Sequence, residues 1–174
     1  MGQAEIRAVC DVLGGALSPQ EAEAVLAASV PLRVPPGSTL VNEGAEGGGL
    51  YFLLSGQVEI VKERRDGAAQ RLAVVDAPSL LGELSLVTDG PHTASARALT
   101  DCQVRVLGRS HFRGRLAAGD LVAYKVLGAM ARVLARRLIR INETVLQLSS
   151  GAVAGARVEE LDRLREKLFK EWAF

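Results

Sequence analysis

One stretch of the chain combines residue types that can bind a small anion. It runs from Gly82 to Ser95 and reads GELSLVTDGPHTAS. A glycine and an acid, one short helical turn and a Gly-Pro turn predict a backbone that points several N–H groups at one small volume. The acid is Glu83, and His92 and Thr93 follow the Gly-Pro turn. The pattern predicts a phosphate-binding cradle, and "the cradle" below means residues 82–95.

Short apolar segments before and after the cradle are typical of β-strands. They are residues 30–34, 39–41, 50–54, 58–61 and 71–75 before it, and 93–99 and 102–107 after it. Their lengths and the glycine turns between them predict a small antiparallel barrel or roll. The glycine-rich loop 44–49 has no following Gly-Lys-Ser/Thr, so it is not a nucleotide P-loop. We interpret this loop as a flexible hairpin connection.

Helical patterns flank the predicted roll on both sides. Apolar residues at helical spacing predict a helix over residues 3–14. Ser18-Pro19-Gln20-Glu21 has the composition of a capping box at the start of a second helix. After the roll, Ser110 is expected to cap a short helix, and residues 119–148 are expected to form a long one.

The long helix carries two rows of apolar residues, each with a spacing of seven. Together they form a heptad seam of the kind that pairs helices. The seam consists of Leu127, Ala131, Leu134, Leu138, Ile141, Val145 and Leu148. We favour a homodimer through this seam over the alternative that one broad apolar face only covers the barrel.

These patterns predict four parts: N-terminal helices (1–29), a β-roll with the cradle (30–118), a long dimerisation-type helix (119–150) and a short C-terminal helix or tail (151–174). The tail is rich in large apolar residues, in a chain with only 4% aromatics: Leu168, Phe169, Trp172 and Phe174. Either the tail folds back onto the domain or its dimer mate, which we favour, or it binds a protein partner.

Composition argues against several classes of protein. The net charge of +1 gives no electrostatic reason to bind nucleic acid or an anionic membrane. No apolar run is long enough to span a bilayer, and no signal pattern opens the chain. Cys10 and Cys102 lie far apart without metal-ligand spacing, which favours a reducing, cytoplasmic location.

Catalysis and metal binding are also not indicated. The two histidines, His92 and His111, have no nucleophile elbow, paired acids or metal-ligand spacing around them. We therefore expect no catalytic residues, no metal and no enzymatic activity.

Residues 30–148 resemble the cyclic nucleotide-binding domain of the cAMP receptor protein family. The matching segments are 37–40, 43–44, 50–58, 82–86, 91–94 and 129–138. The resemblance implies a mainly β fold with flanking helices, a double-stranded β-helix or jelly roll followed by a long C-helix and a short C-terminal helix. Transcription factors of this family carry a helix-turn-helix domain after the long helix. Too few residues follow Leu148 for such a module, so we expect no direct DNA binding.

The resemblance also implies a cyclic nucleotide, such as cAMP, in the cradle. The positions that match the family's binding residues are Gly82, Glu83, Leu84, Ser85, His92, Thr93 and Ala94. In the family, the acid accepts a hydrogen bond from the ribose 2′-hydroxyl, and a Ser/Thr hydroxyl with backbone N–H groups binds the phosphate. Glu83 and Thr93 match these two roles. Ile141 and Asn142 fall where the bacterial receptor presents two hydroxyl residues to adenine.

His92 stands where the family has an arginine that pairs with the phosphate. Losing a buried, charge-assisted contact costs roughly 2–4 kcal/mol. His92 is either a weaker, pH-sensitive substitute or a solvated residue in a cradle that no longer binds. We therefore predict a non-catalytic regulatory module that signals through protein–protein contacts and has weak or lost cAMP binding. The alternatives are a genuine sensor of cAMP, cGMP or a cyclic dinucleotide, and a ligand-independent scaffold.

Overall fold

The computed structural model describes residues 2–63, 67 and 69–151. Within these residues, eight strands carry the fold: β1 (Val30–Val34), β2 (Thr39–Val41), β3 (Gly49–Ser55), β4 (Gln57–Glu63), β5 (Ala69–Asp76), β6 (Ser79–Leu81), β7 (Ser95–Ala98) and β8 (Cys102–Gly108). The same part of the chain contains five helices: α1 (Gln3–Val12), α2 (Pro19–Ala27), α3 (Glu83–Thr88), α4 (Arg109–Ala117) and α5 (Leu121–Gly151).

The strands form two four-stranded sheets, in which every pairing is antiparallel. Their orders are β1-β8-β3-β6 and β2-β7-β4-β5. Strands β3 and β4 follow each other in sequence but lie in different sheets, so the chain passes repeatedly between the sheets. The predicted roll of short strands with flanking helices and a long following helix is confirmed.

Two groups of buried apolar side chains hold these layers together. One fills the space between the sheets and includes Leu53, Val58 and Val104. The other joins the helices to strands β3 and β8, and includes Phe52, Phe112 and residues of α1, α2 and the first part of α5. The core is almost entirely aliphatic, and its close packing fixes β3, the strand that lies beneath the cradle.

The helix starts test two sequence predictions. Ser18 does cap α2: its Oγ accepts from the Glu21 N–H at 3.3 Å, and Glu21 Oε2 accepts from the Ser18 N–H at 2.9 Å. The predicted cap of α4 by Ser110 is wrong. This helix begins two residues earlier than that cap implies, at Arg109, with Gly108 before it and no side-chain cap. The peptide N–H of Arg109 instead donates to the Gly48 carbonyl at 3.0 Å.

The chain divides into two compact units, Met1–Ala131 and Arg132–Phe174. The first unit contains both sheets, the cradle and the first part of α5, where Ala123, Val126 and Met130 are buried. The described part of the second unit continues α5 to Gly151. In the described part of the chain, no helix combines the length and hydropathy needed to cross a membrane.

Candidate ligand-binding cradle

The cradle begins with a glycine that the backbone requires. Gly82 has φ of +83° and stands directly before α3. A Cβ at this position would lie 2.5 Å from the Gly49 carbonyl oxygen and 2.9 Å from Cδ2 of Tyr51. Both the left-handed conformation and the close approach of β3 therefore exclude a larger residue.

The predicted ligand residues at the start of the cradle have different environments. Glu83 and Ser85 are buried, whereas Leu84 points outward and is exposed. The Ser85 hydroxyl donates to the Gly82 carbonyl at 3.0 Å, which closes the first turn of α3. The burial of Glu83 places a carboxyl group inside the cradle wall rather than on the surface.

The segment after the Gly-Pro turn returns toward the start of the cradle, and Tyr51 lies next to both Gly82 and His92. The Tyr51 ring lies beside Gly82, and its centroid is 6.0 Å from that of the His92 ring. Thr93 is exposed and Ala94 is half-buried. Tyr51 was part of a matched sequence segment, but no local pattern predicts that its ring contacts both ends of the cradle.

His92 is a buried residue and not the solvated loop residue that the sequence left as one alternative. Only 6% of its surface is exposed. Burial lowers the pKa of the imidazole, and the positive charge of Arg109 lowers it further. Without a bound anion, the ring is therefore neutral near pH 7.

The glycine-rich loop 44–49 is more than the flexible hairpin connection that the sequence suggested. The Gly44 N–H donates to the His92 carbonyl, and the His92 N–H donates to the Ala45 carbonyl, each at 2.9 Å. Glu46 and Pro91 form an isolated antiparallel bridge. The loop therefore pairs with the returning segment of the cradle at residues 91 and 92. Local sequence does not reveal a pairing between such distant segments.

Arg109, at the start of α4, reaches the cradle from the side of β8. Its Nη2 donates to the Ser85 carbonyl at 2.8 Å and to the Gly90 carbonyl at 3.3 Å. Its Nη1 lies 3.8 Å from the Asp89 carboxylate, which also pairs with Arg113. These carbonyls belong to the last turn of α3 and the residues after it, where a cation is favourable.

A second cation, Lys62 at the end of β4, contacts the opposite end of the cradle. Its Nζ donates to the Thr93 carbonyl at 2.7 Å and lies 3.2 Å from Oε1 of Glu43. The Glu43 N–H donates to the Ser95 hydroxyl at 2.9 Å. Neither Lys62 nor Arg109 is predicted by the sequence as a cradle contact, because each is far from the cradle along the chain and only the fold brings it there.

The remaining predicted positions lie on α5 or beyond it. Ile141 and Asn142 are exposed on α5 in the second unit. Of the predicted seam, Leu127, Leu134 and Leu138 are half-buried, Ala131 and Ile141 are exposed, and the side chains of Val145 and Leu148 lie outside the described residues. The predicted tail residues Leu168, Phe169, Trp172 and Phe174 also lie outside the described residues. Among residues 2–63, 67 and 69–151, no group of His, Cys, Asp and Glu could hold a metal ion.

Comparison with known proteins agrees with this fold. The model of the cyclic nucleotide-binding domain family matches residues 31–118, which is half of the chain. This chain therefore belongs to the cyclic nucleotide-binding domain family, and the predicted resemblance is confirmed.

Two relatives show the kinds of protein that carry this domain. A CRP-like cAMP-activated global transcriptional regulator of Mycobacterium tuberculosis is 32% identical over 137 residues, which are 79% of this chain and 59% of the relative. A cAMP-dependent protein kinase regulatory subunit of Aspergillus fumigatus is 37% identical over 97 residues, 56% of this chain and 23% of the relative. The chain thus spans about three fifths of the first relative and about a quarter of the second.

The fold also matches a solved structure. The crystal structure of a cyclic nucleotide-binding domain from Methylobacillus flagellatus aligns with a TM-score of 0.75 at 23% identity, covering 84% of this chain and 85% of that one. At this identity, the match supports the fold alone.

Proposed function

We propose that this chain is a non-catalytic regulatory module that binds a cyclic nucleotide weakly in the cradle and signals through protein–protein contacts. The proposal depends on the burial and protonation of the side chain at position 92. The cradle is built, with Glu83 buried at its start, but a neutral, buried imidazole replaces the expected arginine. A phosphodiester keeps a full negative charge, and a neutral N–H is a weaker partner for it than a guanidinium.

The ligand class follows from the relatives. Both the mycobacterial regulator and the fungal kinase subunit are named for cAMP. We therefore propose cAMP as the first ligand to test, followed by cGMP and cyclic dinucleotides. The activities of the whole relatives, including transcriptional regulation, are not carried over, because this chain spans only part of each.

The assembly and location belong to the same proposal. The apolar seam of α5 supports a homodimer, and the aromatic tail supports contact with a dimer mate or a protein partner. A cytoplasmic location fits two cysteines, Cys10 and Cys102, that are both free thiols.

Calorimetric titration with cAMP tests the ligand proposal. We expect measurable binding by the wild type, weaker binding by Glu83→Ala, and binding about 30-fold or more tighter by His92→Arg, because arginine restores a charge-assisted contact. Thermal melting of each variant separates lost binding from lost folding.

Absence of heat with all these nucleotides at high micromolar concentration would contradict weak binding by the wild type. If His92→Arg binds under the same conditions, the cradle is a ligand site that His92 has silenced. If no variant binds, the ligand-independent scaffold is favoured.

A further inference from the structure

The cradle has two cations beside it, although position 92 lacks one. Lys62 contacts the carbonyl of Thr93, the residue that follows His92, and Arg109 contacts the carbonyls of Ser85 and Gly90. Each brings a positive charge close to the place where a phosphate would need one. The two cations differ in how many of their N–H donors are already used in contacts within the protein.

Arg109 has few N–H donors available for a ligand. Its side chain is only 18% exposed, and its Nη2 bonds two backbone carbonyls. Its Nη1 faces the Asp89 carboxylate, and its Nε is enclosed by protein without a hydrogen-bond partner among the described residues. An incoming anion would have to displace existing bonds to reach this guanidinium. The main contribution of Arg109 to binding is therefore the electrostatic potential of its positive charge.

Lys62 is accessible and keeps a donor. An ammonium group has three N–H donors. Among the residues that the structure describes, this one has two partners, the Thr93 carbonyl and the Glu43 carboxylate, and 49% of its side chain is exposed. The third donor and the exposed surface are free to meet a ligand.

The alternation of side chains places Lys62 on the same face of β4 as Val58 and Ile60. Side chains alternate along β4. Val58 is buried and Ile60 packs against the core between the sheets, whereas Glu59 pairs with Arg97 on the other face. Lys62 continues the row of Val58 and Ile60 at the end of the strand, where its ammonium group reaches the Thr93 carbonyl of the cradle.

We propose that Lys62 supplies the positive charge for a bound phosphodiester that the residue at position 92 does not. This inference rests on the proposed function, because it names a binding residue for the same ligand. Glu43 holds the ammonium in place and at the same time competes with the ligand for it. The same carboxylate accepts the Glu63 N–H at 2.9 Å, so it stays ionised and in position.

The test is calorimetric titration with cAMP of four variants beside the wild type. Lys62→Gln should weaken binding about 10-fold or more, and Lys62→Arg should retain it, because the charge is what matters. Glu43→Gln keeps an oxygen for the Glu63 N–H but removes the competing charge, so it should tighten binding by about 3-fold or more. Lys125→Gln is the matched control, since Lys125 also pairs with a glutamate, Glu21, away from the cradle.

If Lys62 has only a structural role, Glu43→Gln should not tighten binding. Loosening the Lys62–Glu43 pair would then weaken binding or leave it unchanged. A double variant provides a second check: with His92→Arg present, Lys62→Gln should cost less than about 3-fold, because the arginine now supplies the charge.

The outcomes separate this inference from the proposed function. If the wild type binds and Lys62→Gln binds as well as Lys125→Gln does, the inference is overturned and the proposed function stands. If the wild type fails to bind but Glu43→Gln binds, native weak binding is disproved and the inference is supported. Binding by His92→Arg alone, or by no variant, overturns the inference.

Discussion

The imidazole of His92 lies against the Tyr51 ring and within the field of Arg109. Burial and this positive charge both favour its neutral form. A bound phosphodiester would act in the other direction, because its negative charge favours the protonated ring. The same side chain thus links the pH to both folding and binding, with opposite preferences in the empty and the occupied cradle.

The free energy of unfolding should therefore fall as the pH is lowered from about 7.5 to 5.5. An unfolded histidine has a pKa of about 6.5, and the folded value is lower, so the unfolded state takes up more protons in this range. The contribution is fully present above the unfolded pKa and is lost as the pH falls toward the folded pKa. Urea denaturation at a series of pH values measures it.

His92→Gln should flatten this dependence, and His111→Gln, at an exposed position on α4, is the matched control. The carboxyl groups of Glu5, Glu21 and Asp120 have lowered pKa values and therefore titrate below this window. Identical pH profiles for the wild type and His92→Gln would show that the ring has no such role.

At the scale of elements, Arg109 connects two helices that the sequence places in separate segments. Its guanidinium bonds the carbonyls at the end of α3 and faces Asp89, while its backbone starts α4. Arg113, one turn further along α4, pairs with the same Asp89 but is 46% exposed. The two arginines share a partner and differ in burial, which makes them a matched pair.

Arg109→Gln should destabilise the protein by about 2–3 kcal/mol, because it leaves two partly buried carbonyls without their donor and Asp89 with one cation fewer. Arg113→Gln should cost less than about 1 kcal/mol, as for an exposed ion pair. Chemical denaturation measures both, and hydrogen exchange should show faster exchange in α3 for Arg109→Gln. Equal costs would mean that the bonds from Arg109 to the cradle contribute nothing to stability.

The sequence predicted the strands except β6, together with the long helix, the capping box of α2 and the family. These features rest on local patterns, such as apolar alternation, heptad spacing and Ser18 three residues before Glu21. It did not predict the contacts that Lys62, Arg109 and the loop 44–49 make with the cradle, because they join segments far apart in the chain. It also left the environment of His92 open, since burial depends on the packing of Tyr51 and the loop.

At the scale of the whole molecule, the seam of α5 predicts the assembly. Leu138 belongs to the seam and is half-buried, whereas its neighbour Ile139 lies off the seam and is 57% exposed. Leu138→Glu should convert the predicted dimer to monomer, because it places a charge in an apolar helix interface. Ile139→Glu should leave the dimer intact. Sedimentation velocity distinguishes the two states.

A monomeric wild type at micromolar concentrations would refute this assembly. A dimer that survives Leu138→Glu would place the interface on another surface.

The bonds between the loop 44–49 and His92 use only backbone atoms: the N–H and the carbonyl of residue 92. They therefore do not depend on which side chain stands at that position. A single nucleotide change converts a histidine codon into an arginine codon. The affinity for an anion can thus rise or fall in one mutational step, and no variant along the way needs to lose these backbone bonds. The frame of the cradle can be inherited unchanged while its ligand preference evolves.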